Sequence, residues 1–302
     1  MSGGGASLAV KRSILRGRAR SPIWLVVPAV GALAVGSSVP LLMTLWFSGQ
    51  RYNLLEPEIT GFVGFENYSF LIGSAAFWSS LRTTLVLTGS VLLATVTLGT
   101  LLAVLFDQHF PGRGLARLLA ISPFFIMPTV SALIWKNLIM HPVYGLAGQF
   151  GRLFGFRPID GFADYPLLSL IVILTWEWLP FALLILLTAM QSLDEEQREA
   201  ARMDGAGAVA QFFFITLPHL GRAIGVLMMM ETIFLLGVFA EIFVTTSGGP
   251  GVATTNLAYL IYNRALLRFD IGGASAGGVI AILLANLLAI LLARTVARRL
   301  DA

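Results

Sequence analysis

The chain has 302 residues, 57% hydrophobic and 12% charged, with a formal net charge of +4 and no cysteine. Soluble domains carry about 25% charged residues, and here the apolar residues come in bilayer-length blocks rather than at strand or helix period, so water is excluded as the main solvent. The cations lie between those blocks without interleaved aromatics, which argues against a nucleic-acid partner. The lack of cysteine excludes disulfides, thiolate chemistry and cysteine-ligated metal; the scattered His109, His141 and His219 make no metal site and read as interfacial residues.

Residues 1–21 form a polar, basic tail with Lys11, Arg12, Arg16, Arg18 and Arg20. The apolar run that follows, about 23–47, is too long for a cleavable signal and reads as a retained first span. Five more blocks, about 81–106, 115–140, 165–190, 222–246 and 273–293, are each long enough to cross a hydrocarbon core about 30 Å thick. The spans must be helices, because unpaired backbone groups are too costly in lipid. The expectation is therefore an all-α integral membrane protein with six transmembrane helices over residues 22–302 and both termini on one side.

Cation placement sets the orientation. Thirteen fall in the two tails and in the loops holding Arg113, Arg117, Arg198, Arg202 and Arg222; six fall on the other face, at Arg51, Arg82, Arg152, Arg157, Arg264 and Arg268, with Lys136 near a span end. This bias predicts cytoplasmic N- and C-termini. Of the loops, 191–221 carries the most local signal. Ser192 followed by Glu195 reads as a capping box opening a helix, with Asp194 and Glu196 at its positive end. Gly205 and Gly207 should stop that helix, and a second short one should run to Pro218. Ala200 and Ala201 would let this element sit closely in a groove of another protein, with Glu199 supplying a polar contact; a solvated amphipathic connector is the alternative.

Inside the membrane, Glu177 lies between Trp176 and Trp178 and just before Pro180. A carboxylate there should face the bundle interior or a wet cavity. Flat indoles beside an acceptor suit a polyhydroxylated ligand; a structural pair between helices is the other reading. Glu231 and Glu241 stand ten residues apart, which on one helix puts them about 80° around and about 15 Å along, and both could border one cavity or serve as structural hydrogen-bond groups. Asn137 and Asn286 are further polar candidates, whereas Trp135 and Phe243 read as packing residues. Pro123, Pro128 and Pro180 permit kinks.

The run Glu199-Ala200-Ala201, three residues, Gly205, nine residues, then Ile215, Thr216, Leu217 and Pro218 resembles the E-A-A-x3-G-x9-I-x-L-P loop of the inner-membrane permease subunits of binding-protein-dependent ABC importers. In that family the loop holds the coupling helix that enters a cleft of the ATP-binding subunit. The resemblance implies that role for Glu199, Ala200, Ala201, Asp204 and Gly205, and a type I permease bundle. Pro123, Pro128, Trp135, Tyr144-Gly145, the stretch Thr246 to Pro250 and Asn256 to Leu266 resemble the carbohydrate, maltose-transporter-like branch. N-L-A-Y-L-I-Y and F-D-I-G-G-A-S-A-G-G are most similar to permeases for sugar alcohols such as sorbitol and mannitol.

The resemblance further implies a second permease subunit, two ATP-binding subunits carrying ATP and Mg, a periplasmic or lipid-anchored solute-binding protein, and a bacterial inner-membrane location. No G-x-x-x-x-G-K-[ST] loop occurs, so the chain is expected to bind no cofactor, to have no catalytic residue and to be a non-enzyme subunit. Its substrate path would involve Glu177, Trp176, Trp178, Glu231, Glu241 and Asn137. The rival function is a proton-coupled secondary carrier relaying protons through Glu177, Glu231 and Glu241; a structural membrane scaffold would move no solute.

Overall fold

The structure, a computed structural model, describes residues 23–156 and 159–298. The basic tail over 1–21, Arg157 and Arg299 lie outside the described residues. The chain divides into two units, 1–46 and 47–302. In the first, helix α1 begins (Ile23–Ser48); its apolar side chains from Val26 through Val35 are exposed, and hydroxyls fold back on the helix, Ser37 donating to the Leu33 carbonyl at 2.7 Å.

In the second unit, a two-residue antiparallel ladder of β1 (Gln50–Arg51) and β2 (Gly61–Phe62) leads into α2 (Glu66–Gly73). Helix α3 (Ala75–Asp107) opens with Ser74, whose side chain accepts from the Phe77 amide. Its 33 residues span about 50 Å at 1.5 Å per residue, more than the hydrocarbon core requires, so it extends beyond the apolar slab. Next come α4 (Arg113–Ile121), a tight turn over Ser122–Phe125, α5 (Pro128–Leu133) with a wide turn over Ile134–Ile139, and α6 (Leu146–Leu153). Helix α7 (Pro166–Gln191) starts on a proline, which lacks the N–H that the first turn would leave unpaired. Then follow α8 (Glu195–Met203), α9 (Leu217–Leu236), α10 (Ala240–Thr245), α11 (Leu257–Tyr262) and α12 (Ile271–Arg298).

Among the described residues five helices are long and apolar enough to cross a membrane, or six if the bent pair Arg113–Phe125 and Pro128–Ile139 counts as one span. In that pair the third span, expected over 115–140 with kinks permitted at Pro123 and Pro128, is broken outright: its halves meet at 101°. The cause is local. Pro128 disfavours helical geometry in the residue before it, and Ile126 and Met127 are both extended. The expected span over 222–246 is also corrected. The apolar helical stretch runs from Ala208 to Leu236, starting and stopping earlier; the chain then breaks over Gly237 to Phe239 before α10 begins. Pro218 consequently stands in the first turn of α9 instead of ending a helix.

The core is built mainly between α3 and α7. Ala103 and Phe106 pack with Ala182, Leu183, Leu186 and Met190, joined by Leu220 and Leu227 of α9. Leu87, Val91 and Leu92 pack with Leu170 and Leu174, closed by Ile242 and Tyr259. Side chains on the opposite face, such as Leu93, Leu101 and Leu105, point outward. Because lipid is as apolar as leucine, close packing must hold these helices together. Gly99 shows this: a Cβ built there would lie 2.9 Å from the Ala182 Cβ and 3.4 Å from Leu186 Cδ1.

Polar pegs complete the frame. The Thr84 hydroxyl accepts from the Leu257 amide at 2.9 Å and thereby ties α11 to α3. Near the first ladder, Asn67 donates to the Ser48 and Gln50 carbonyls at 2.9 and 2.8 Å, and Asn53 bridges Asp270 at the start of α12.

The substitution Gly99→Val should overpack the α3–α7 contact at a cost of about 1–3 kcal/mol. Thermal unfolding of the purified protein in detergent should show a clearly lower midpoint; an unchanged midpoint would contradict this contact.

Candidate functional site: a central cavity and an exposed helix

Both broken helices open onto one cavity. Its volume is about 380 Å³, and its walls include Pro123, Phe124, Ile126 and Pro128 from the first break, Glu177 and Trp178 from α7, and Phe234, Gly237 to Ala240 and Glu241 around the second. Small-ligand sites run from about 300 Å³ upward, so the cavity is of small-ligand size. The breaks leave backbone groups that a continuous helix would have paired. One is recaptured by a side chain: the Asn256 amide donates to the Val238 carbonyl at 2.6 Å, while the Asn256 carbonyl caps α11 by accepting from the Tyr259 amide at 2.8 Å.

Glu177 is 8% exposed and Glu241 5%, yet both border the cavity. Ser131 of α5 and Glu241 flank Glu177 closely enough to interact with it, but neither Glu177 Oε1 nor Ser131 Oγ completes a hydrogen bond. Around them, the Trp178 indole packs against Phe234 with ring centroids 5.2 Å apart and meets Phe124 edge-on at 6.5 Å. The cavity thus has aromatic walls and a carboxylic floor.

The structure brings together three of the expected path residues, Glu177, Trp178 and Glu241, and separates the others. Trp176 faces Trp135 edge-on at 5.7 Å and does not line the cavity. Asn137 is exposed in the turn after α5, and exposed Asn286 donates to the Ile282 carbonyl at 2.9 Å. Glu231 is fully buried between α9 and α3, where the Thr95 hydroxyl donates to Glu231 Oε2 at 2.7 Å. The helical arithmetic that set Glu231 beside Glu241 fails because α9 ends between them. Sequence reasoning missed Phe124, Phe234 and Ser131. Pro123 and Pro128 were the available signal for Phe124, since they bracket the first break; nothing local marked Phe234, which lies beside the second.

At one end of this unit lies α8. Its N-terminus corrects the expected capping box: Asp194 caps the helix by accepting from the Glu196 amide at 3.1 Å. Ser192 instead donates to the Ala189 carbonyl at 2.7 Å and ends α7. At the C-terminus, Gly205 has φ +81°; its amide bonds the Arg202 carbonyl at 3.0 Å, and the Ala206 amide bonds the Ala201 carbonyl at 2.9 Å. That pair of bonds is a Schellman motif, whose left-handed residue favours glycine.

Along α8, Glu199 and Ala200 are exposed, Ala201 is half-buried, and Met203, Asp204 and Gly205 are exposed. The opposite face is anchored. Arg198 donates to Asp107 Oδ2 of α3 at 2.7 Å, with both side chains about four-fifths buried, and its other nitrogen reaches the Met190 carbonyl at 3.4 Å. Arg113 and Arg117 gather at the same end, donating to carbonyls of Asp107, Gln108 and Phe106.

Comparison with known proteins gives this arrangement a lineage. Residues 23–302 match the family described as binding-protein-dependent transport system inner membrane component. The chain is 34% identical over 272 residues to a probable ABC transporter permease protein, y4oQ, of Sinorhizobium fredii, covering 89% of this chain and 87% of that protein. It is 31% identical over 262 residues to the trehalose/maltose transport system permease protein MalF of Thermococcus litoralis, with 86% of each covered. In three dimensions it resembles a chain of a bacterial ABC transporter involved in the import of the acidic polysaccharide alginate, with TM-score 0.77, 22% identity and coverage of 97% and 98%. The fold is that of an ABC-importer permease, and the chain belongs to the family of inner-membrane components of binding-protein-dependent transport systems.

Proposed function

We propose that this chain is one membrane-spanning subunit of an ATP-driven importer for a neutral sugar or sugar alcohol. The observation that carries the reading is α8: a helix with its Glu199–Ala200 face exposed, its end fixed by Gly205, and its inner face held to α3 by Arg198 and Asp107. A partner ATPase, with ATP and Mg on its own residues, would seat that face in a groove and displace it on closing. The ion pair would pass the displacement to α3 and so to the bundle around the cavity. A second permease, two ATPase copies and a solute-binding protein complete the machine. The cation bias, with Arg113, Arg117, Arg198 and Arg202 at the α8 end, supports a cytoplasmic α8 and cytoplasmic termini.

The cargo reading rests on the cavity and on the relatives. Aromatic faces cover the C–H surfaces of a sugar, and carboxyl oxygens accept its hydroxyls. The likeness of Asn256–Tyr262 and Phe269–Gly278 to sugar-alcohol permeases favours a polyol such as sorbitol or mannitol, and MalF supports a carbohydrate more broadly. A proton carrier has less support, since Glu231 does not border the cavity that Glu177 and Glu241 line.

In the complete importer, Glu199→Arg should cut solute uptake by about tenfold or more, a loss of roughly 1.4 kcal/mol of productive coupling. ATP hydrolysis should then no longer respond to loaded binding protein. Normal uptake by that variant would refute ATP coupling through α8 and favour a carrier driven otherwise.

Arg198→Glu and Asp107→Arg should each impair uptake. The charge-swapped double variant should recover much of it, with a coupling energy on the order of 1 kcal/mol in a double-mutant cycle. Strict additivity would show that the pair carries no load.

A further inference from the structure

The permease fold does not fix the charge of its cargo, since a structure of the same fold belongs to an importer of an acidic polysaccharide. The cavity of this chain carries a feature that does bear on charge. Two carboxyl side chains from different elements, Glu177 of α7 and Glu241 of α10, border it side by side, each more than nine-tenths buried. Among the described residues no ion pair includes either of them. Lys136, which follows α5, directs its ammonium to the Val244 carbonyl at 2.9 Å. Glu177 Oε1 is buried without a hydrogen-bond partner, and the residue lines a cavity large enough for a solute.

Carboxyl groups that border a cavity can accept hydrogen bonds from donors that arrive with a ligand. On this basis, which rests on the sugar-importer reading above, we infer that Glu177 and Glu241 form a charge filter that accepts neutral, polyhydroxylated solutes by their hydroxyl hydrogens and rejects anionic ones. A neutral polyol brings many O–H donors and no charge. Its hydroxyls meet carboxyl oxygens, and its C–H faces meet Trp178, Phe124 and Phe234. A sugar acid or sugar phosphate brings its own negative charge beside two buried carboxyl groups, where like charges repel strongly and no ion pair among the described residues offsets them.

The test compares matched probes that differ in charge alone. The complete importer is reconstituted in proteoliposomes, and uptake of labelled sorbitol, mannitol, glucose, maltose and trehalose is measured. Binding is then measured on the importer without its binding protein, pairing sorbitol with gluconate and glucose with glucuronate, so that the binding protein's own selectivity does not enter. The wild-type complex should favour the neutral member of each pair by about tenfold or more. Glu177→Gln with Glu241→Gln should bring that ratio to within about threefold of unity, and Glu177→Asp, which keeps the charge, should preserve it. Equal binding of the neutral and anionic probes by the wild-type complex overturns the filter whether or not any variant folds. So does an unchanged ratio in a folded double variant. Absence of uptake for every neutral probe would instead overturn the sugar-importer reading itself.

Discussion

In hydrocarbon, each peptide N–H and carbonyl must find its partner within the protein, and this constraint decides where the chain can depart from a helix. Two apolar helices do depart, at Ile126–Met127 and over Gly237 to Phe239, and both breaks face the same interior cavity. Pro128 removes one donor at the first, while Asn256 takes up a freed carbonyl at the second. Irregular backbone is tolerated in a membrane where it is covered by protein or lines a cavity, and helices interrupted near a cavity can also move as separate pieces. The cavity, with its buried carboxyl groups, is therefore a consequence of how the breaks are satisfied.

Helix α3 connects that cavity to the far end of the unit. Along its length it holds α11 through Thr84, α9 through Thr95 and Glu231, and α8 through Asp107 and Arg198. Between these pegs, Gly99 lets it lie directly against Ala182 of α7. A rod packed this closely transmits displacement with little slack, because interiors at crystal-like density shift as units. Under the proposed function, force entering at α8 would reach the cavity walls along α3 and α7.

The broad architecture was legible because hydrophobic length is a strong signal: the helices Ala75–Asp107 and Pro166–Gln191 contain the blocks expected at 81–106 and 165–190 almost entirely. The first break was signalled by Pro123 and Pro128 as a permitted kink, though not as a turn of 101°; the second was not legible, because apolar composition continues through Val238 and local hydropathy cannot register a turn in direction. The same blindness placed Glu231 and Glu241 on one helix. At α8, glycine at position 205 announced the end, since a left-handed residue there favours it, whereas the start was misassigned by two residues. Ser192 and Asp194 are both good caps, and the deciding fact was that Ser192 already closes α7. Phe124 and Phe234 gave no signal of their own; each became a cavity wall through breaks that bring distant segments together.

Under the proposed function, the exposed face of α8 meets a nucleotide-hydrolysing partner. The chain contains no cysteine, so Ala200→Cys introduces a single reactive site on that face. With a short bifunctional cross-linker applied to the assembled complex, this variant should yield a covalent product with the ATPase subunit, and its yield should change when ATP is bound. An intact complex in which Ala200→Cys reacts with soluble thiol reagents but never joins the ATPase would contradict the account.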